Sequence, residues 1–159
     1  MNRIDEILRY HERSKHHQGR YAPGPGYMDW KTQPDPFRRF DGAPLIQLDL
    51  ADDHPTSEPT LDRRFVSQLL LNSLGLSAWK QAGDTTWPLR VNPSSGNLHP
   101  TEAYVLLPAV EKICDSPGLF HYAPKEHALE QRGDLEPDAW KHATEGGPAV
   151  LIGLTSIHW

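Results

Sequence analysis

Residues 90–102 read Arg90-Val91-Asn92-Pro93-Ser94-Ser95-Gly96-Asn97-Leu98-His99-Pro100-Thr101-Glu102, and the apolar run Ala103-Tyr104-Val105-Leu106-Leu107 follows at once. Pro93 and Gly96 bracket two hydroxyls, and Asn97 adds an amide that both donates and accepts. Such a turn can offer backbone N–H groups, hydroxyls and an amide to one edge of a flat polar ligand. The same residues also make an ordinary turn, and on composition alone that is the commoner use. The apolar run after it has the β-branched and aromatic content of a buried strand, expected over residues 101–110.

Toward the N-terminus of this stretch, residues 81–92 read as irregular, and residues 77–80 as one or two further helical turns. Before them Phe65, Leu69, Leu70 and Leu74 fall at helical spacing, with Thr60 as the expected N-cap and Gly75 closing the helix. Residues 45–50 read as a short strand followed by a loop over residues 51–59. Residues 18–44 are polar and proline-rich, which predicts a long loop. That loop also carries Tyr27, Trp30, Phe37 and Phe40, so it is expected to wrap and pack against something rather than hang free. Ile4, Ile7, Leu8 and His11 recur at helical intervals, predicting a helix over residues 2–15.

Toward the C-terminus, residues 119–122 and 128–131 flank Ala123-Pro124-Lys125-Glu126-His127 and predict a β-hairpin. Pro137 suits the first turn of a short helix reaching residue 144. Residues 149–155 are almost continuously apolar, as a central strand buried on both faces would be. A central strand so near Trp159 calls for later elements to cover it, so the expectation is a truncated frame or a piece of a longer protein.

Composition narrows the class. The chain has 159 residues, enough for one domain, but only 37 % are apolar and 15 are prolines. A formal charge of −5 gives no basic field of the kind that holds nucleic acid. A single cysteine, Cys114, excludes an internal disulfide and suits a reducing, cytoplasmic setting. No apolar run approaches the roughly 20 residues that span a bilayer, and no signal peptide is legible at the start.

The central stretch resembles the Pro-Ser-Ser-x-Asn-x-x-Pro element of flavin nitroreductases, and still more the Arg-x-x-Pro-Ser-x-Gly-x-x-x-Pro-x-Glu element of SagB-type dehydrogenases. Residues 118–129, Gly-Leu-Phe-His-Tyr-Ala-Pro-Lys-Glu-His-Ala-Leu, are similar to the SagB-type hairpin Gly-x-Tyr-x-Tyr-x-Pro-x-x-His-x-Leu. Tyr10-His11-Glu12-Arg13-Ser14-Lys15 resembles the N-terminal phosphate clasp of the superfamily, although typical nitroreductases have a basic residue where His16 stands here. The resemblance implies an α+β, nitroreductase-like fold, a central mostly antiparallel sheet packed by helices, with the family's second half absent. Residues 1–159 would then form the N-terminal part of one such domain.

It also implies FMN as cofactor. Arg13, Ser14 and Lys15 would meet the phosphate with charge-assisted hydrogen bonds. Pro93, Ser94, Ser95, Gly96 and Asn97 would lie against the ring and ribityl chain, and Arg90 faces either the flavin or solvent. No catalytic residue and no metal ligand is assigned, since the flavin itself carries the redox step. The donor would be NAD(P)H or a reduced substrate, and the acceptor or substrate an azoline peptide, a nitroaromatic or a quinone. The partner would be a second copy in a homodimer or a second nitroreductase-like domain. The competing expectation is a non-catalytic fragment that pairs with a partner chain.

Other residues have plainer readings. His11, His16 and His17 point to different faces, which argues against a metal site. His99 and Glu102 lie three apart and suit loop fixation better than acid–base chemistry. Cys114 lacks a base partner, and Trp79, Trp87 and Trp140 fit core packing.

Overall fold

A computed structural model describes residues 2–22, 24, 26–27, 29–50, 60–145, 147 and 149–158. The chain divides into two compact units, Met1–Gln33 and Pro34–Trp159.

The first unit holds α1 (Arg3–Ser14), capped by Asn2, whose side chain accepts from the Ile4 N–H. No residue of α1 is buried, and Ile4, Ile7 and Leu8 stand exposed along its apolar stripe. A bridge between His17 and Arg20 and a 3-10 turn over Trp30–Thr32 complete it. Of the aromatics in the loop expected to pack, Tyr27 is 95 % exposed, whereas Phe37 is buried and Phe40 packs against Tyr104 and His121. The Trp30 side chain lies outside what is described.

The second unit is a sheet with helices. Its strands are β1 (Leu45–Gln47), β4 (Thr101–Leu107), β5 (Gly118–Ala123), β6 (Ala128–Asp134) and β7 (Leu151–Ser156), in the order β1-β6-β5-β4-β7 with every neighbour antiparallel. A separate ribbon pairs β2 (Leu76–Ala82) with β3 (Thr85–Arg90). The helices are α2 (Arg63–Leu74) and α3 (Pro137–Ala143), the latter opening on proline as expected.

Strand periodicity sets the core. Ala103, Val105 and Leu107 alternate on β4, Phe120 and Tyr122 on β5, and Leu129 follows on β6. These residues pack with Val66, Leu70 and Leu74 of α2 in one apolar cluster. The intervening residues Glu102, Tyr104, His121 and Glu130 therefore face the other way. The segment just before β1 is fastened to that second face. The Phe40 N–H donates to Glu130 Oε1 at 3.1 Å, and the Gln131 N–H donates to the Pro44 carbonyl at 3.0 Å.

Four expectations need correction. The cap of α2 is Asp62, whose carboxylate accepts from the Phe65 N–H at 2.7 Å, and not Thr60. Residues 77–80 are strand, not helix, because they pair with β3 in register from Ala82↔Thr85 to Leu76↔Arg90. Residues 85–90 are likewise strand and not irregular. Among the described residues the final strand lies at an edge of the sheet: β7 pairs with β4, and its residues are exposed. The loop expected over residues 51–59 lies outside the described residues.

Candidate functional site

The loop that joins β3 to β4 is clamped from both ends. At its entry Arg90 is only 6 % exposed; its Nε donates to the Leu74 carbonyl and one Nη to the Thr101 carbonyl, each at 3.2 Å. Burial pulls this guanidinium below its usual range, while nearby Glu102 and Tyr122 oppose the shift. Arg90 therefore ties the end of α2 to the start of β4 from inside the protein, rather than facing solvent.

Within the loop, Ser94 precedes a 3-10 turn, Ser95–Asn97. Ser94 Oγ accepts from the His99 N–H at 2.9 Å. Asn97 Nδ2 donates to the Pro88 carbonyl at 2.9 Å, and His99 Nε2 approaches the same carbonyl at 3.2 Å. A carbonyl only accepts, so His99 carries its proton on Nε2, and burial holds the imidazole pKa down. Three residues in four are left-handed: Gly96 (φ 65°), Asn97 (φ 57°) and His99 (φ 48°). Each non-glycine case costs on the order of 1–3 kcal/mol and persists only where surrounding bonds dictate it, which here they do. Glycine at 96 removes that cost, and a Cβ there would touch only the Leu98 side chain.

Two acceptors at this loop, Asn92 Oδ1 and His99 Nδ1, are buried without a hydrogen-bond partner among the described residues. Pro93, Ser95 and Gly96 are exposed, with Ser94 and Asn97 half-buried. The arrangement is a rigid turn that shows backbone and a hydroxyl outward and keeps unspent acceptor capacity behind.

The expected phosphate residues lie in the first unit. Arg13 and Ser14 are exposed, and Ser14 Oγ donates to the His11 carbonyl at 3.4 Å. Lys15 is paired with Glu12, an ion pair that holds the Glu12 carboxyl below its usual range. His16 Nδ1 accepts from the Ala22 N–H at 3.0 Å, so that nitrogen is unprotonated.

The sequence reading did not find the most buried polar cluster. His121 lies between two carboxylates, Nε2 to Glu102 Oε2 at 2.5 Å and Nδ1 to Glu130 Oε2 at 2.8 Å. Glu130 Oε1 in turn accepts from Arg39 Nε at 2.6 Å, and Arg39 also pairs with Glu126 at 2.9 Å. Both ring nitrogens of His121 thus face carboxylate oxygens, and three acids, Glu102, Glu126 and Glu130, share His121 and Arg39 as partners. Burial alone would push the Glu130 carboxyl up; the hydrogen bonds from Arg39 and His121 outweigh it and leave the pKa lowered. Glu102 thus pairs with His121 and not with His99.

A second cluster closes the β5–β6 hairpin. His127 Nδ1 meets Tyr122 Oη, and Nε2 meets Ser67 Oγ, both at 2.8 Å. Ser67 and Tyr122 are about 1 % exposed, so no substrate reaches this serine. His127 is a fastening between α2 and the hairpin turn. The first cluster has a signal in the sequence, polar residues in strand alternation at positions where a half-buried strand buries its side chains; the second, with Ser67 on α2 and His127 in a turn, has none of that kind.

Among the described residues no group of three His, Cys, Asp or Glu is placed to hold a metal. No helix there is long and apolar enough to cross a membrane. Cys114 donates to the Pro108 carbonyl, and burial raises its thiol pKa, which disfavours the thiolate.

No protein-family model matches the chain, and no curated protein matches it. Among solved structures it is similar to a candidate nitroreductase from Anabaena variabilis, with 28 % identity and a TM-score of 0.65, over 94 % of this chain and 31 % of that one. The fold is nitroreductase-like, an α+β arrangement built on an antiparallel sheet. The chain spans about a third of the length of that neighbour.

Proposed function

We propose that the chain is the N-terminal portion of an FMN-dependent oxidoreductase of the nitroreductase superfamily, nearest to the SagB-type dehydrogenases. One observation carries the reading: the stretch with the flavin-loop sequence is a strained turn bonded to β3 at both Asn97 and His99. It stands on a fold shared with a candidate nitroreductase at 28 % identity. Backbone strain concentrated in an exposed loop is a mark of ligand sites.

The residues fit the cofactor. A flavin offers N–H and hydroxyl donors and carbonyl acceptors, and the loop offers exposed backbone at Ser95 and Gly96 together with the exposed Ser95 hydroxyl. Pro93, Ser95 and Gly96 would lie against the ring and ribityl chain. Ser94 and Asn97 would hold the turn in shape, and Arg90 would brace it from behind. Arg13, Ser14 and Lys15 would take the phosphate, Lys15 exchanging Glu12 for it. When bound, the flavin supplies two-electron transfer; the protein binds and orients it. NAD(P)H is the proposed donor, and an azoline peptide, a nitroaromatic or a quinone the substrate, in the cytoplasm.

A second reading is a non-catalytic piece that pairs with a partner. It is favoured by β7, where Leu151, Ile152 and Leu154 are 38, 41 and 62 % exposed on an edge strand. A second copy or a further nitroreductase-like domain would cover that edge.

FMN titration followed by flavin fluorescence separates the two. Binding with yellow colour is expected, and Ser94→Ala combined with Asn97→Ala weakens it by about 1–3 kcal/mol. An unchanged affinity in that variant removes the site assignment. A colourless protein that FMN cannot reconstitute leaves the partner-dependent reading.

A further inference from the structure

The segment before β1 is a strap fastened to β6 at two points. The Phe40 N–H donates to the buried Glu130 carboxylate at 3.1 Å, and the Pro44 carbonyl accepts from the Gln131 N–H at 3.0 Å. The Phe40 ring adds edge-on contacts to His121 at 5.1 Å and to Tyr104 at 6.5 Å. Between the two fastenings the chain turns over Asp41-Gly42, closed by the Ala43 N–H donating to the Phe40 carbonyl at 3.0 Å. Asp41 and Gly42 are both exposed. Gly42 is left-handed at φ 77°, and a Cβ there would meet nothing within 4 Å.

This is the one Asp-Gly step in the sequence, and no Asn-Gly step occurs. Its reactive groups are unoccupied. Among the described residues neither the Asp41 carboxylate nor the Gly42 N–H makes a hydrogen bond, and the carboxylate has no ion pair. Such a backbone nitrogen can swing onto the neighbouring carboxyl carbon, because glycine neither blocks the approach nor restricts the rotation it needs. Every other aspartate is followed by a side chain or, as at Asp35, by a proline that has no N–H. Several are also engaged. Asp29 and Asp62 accept from backbone N–H groups, Asp49 pairs with Arg63, and the N–H after Asp134 is spent on the Pro117 carbonyl.

We propose that Asp41-Gly42 is a site of backbone isomerisation, at which aspartate converts to isoaspartate through a cyclic succinimide. The Gly42 nitrogen attacks Asp41 Cγ: an N–Cγ bond forms, a Cγ–O bond breaks, and the oxygen leaves as water with the amide proton and one from solvent. Water then opens the ring. Attack at Cγ restores aspartate, whereas attack at the backbone carbonyl of Asp41 leaves the chain running through Cγ. No electrons change hands, and the final mass is that of the starting chain. The main chain gains one methylene, about 1.5 Å of extra length. It gains it between two fastenings that β6 holds at a fixed spacing, so the strap becomes too long for its anchors and its bonds to Glu130 and Gln131 loosen. The site is independent of the flavin reading.

The test is to age the whole chain at neutral pH and body temperature, digest it with trypsin, which cuts after Arg39, and read the peptides by electron-transfer mass spectrometry. A second form of the peptide that begins at Phe40 should appear, equal in mass, with isoaspartate at position 41. Its rate of appearance should lie within about tenfold of that in the urea-unfolded chain, because an exposed turn opens at little cost. Asp41→Glu should abolish the new form, since the longer side chain would have to close a six-membered ring. Asp41→Asn should speed it, since a neutral amide is attacked more readily than a carboxylate. Asp84→Glu, in the turn of the exposed ribbon, should change nothing. Position 41 is exposed, so far-UV circular dichroism should confirm that its variants fold. No isoaspartate at 41 in the aged native chain, a yield untouched by Asp41→Glu, or isoaspartate arising first at another aspartate would each overturn the proposal. Hydrogen exchange reads the consequence: the Phe40 and Gln131 amides should exchange faster in the aged chain than in a fresh sample, and equal protection would overturn the loosening of the strap.

Discussion

On β5, Phe120 and Tyr122 point into the apolar core beside Leu70 of α2, while His121 between them points to the opposite face and meets Glu102 and Glu130. One strand thus serves two interiors. The α2 side is held by apolar area removed from water, worth roughly 25 cal/mol per Å2 and indifferent to small shifts in angle. The other side is held by charges that stabilise only while every partner is present, since a buried ion left alone costs several kcal/mol. The first kind of interior degrades gradually, and the second fails at a single residue.

That contrast can be broken most sharply at Glu130. Glu130→Ala takes one carboxylate partner from both His121 and Arg39 and frees the buried Phe40 N–H, so it should destabilise by about 3–5 kcal/mol in urea denaturation. A loss under 1 kcal/mol would mean that the charged face contributes nothing specific. Replacing Glu102, His121 and Glu130 together by leucine should recover much of the loss, because no charge is then left unpaired.

On the apolar face, Leu70→Ala should cost about 2–5 kcal/mol, depending on how far α2 settles into the space left. The two substitutions should add when combined if the faces are independent, and a double-mutant cycle measures any departure.

Acid titration gives the smallest and most diagnostic effect. His99 and His127 have pKa values depressed by burial, so the unfolded chain protonates first and stability begins to fall as pH drops below about 6.5. Glu130 also has a lowered pKa, so its contribution is present above the ordinary carboxylate value of about 4 and disappears as pH falls through the folded one. Two separate steps are expected in stability against pH, and His127→Gln should shrink the upper step while leaving the lower. A single step unchanged by that variant would show that the histidines do not report on burial.

How much of this was legible follows element by element. The helices α1 and α2, the hairpin β5–β6, the strand β4 and the proline-led α3 carry periodic patterns or turn residues, and each lies within a few residues of where the pattern puts it. The ribbon β2–β3 was missed because β2 is exposed along almost its whole length, so nothing selects alternation in its sequence. The one signal it offers is Gly83-Asp84 between two runs, a two-residue hairpin turn with Gly83 at φ 57°. The flavin-loop stretch was legible as a turn, but its left-handed residues and its double bond to Pro88 were not, because Pro88 sits on the strand that went unseen.

The order of residues determined which segments alternate and where turns fall, because those depend on neighbours two to four places apart. It also placed Ser94 through Asn97 in one turn. Only the folded chain decided that β7 lies at an edge, and that Arg39, Glu130, His121 and Glu102 form one line of charge. Those partners lie 9 to 91 residues apart along the chain. Which of many carboxylates meets which cation is set by strand order and register, and no local pattern encodes either.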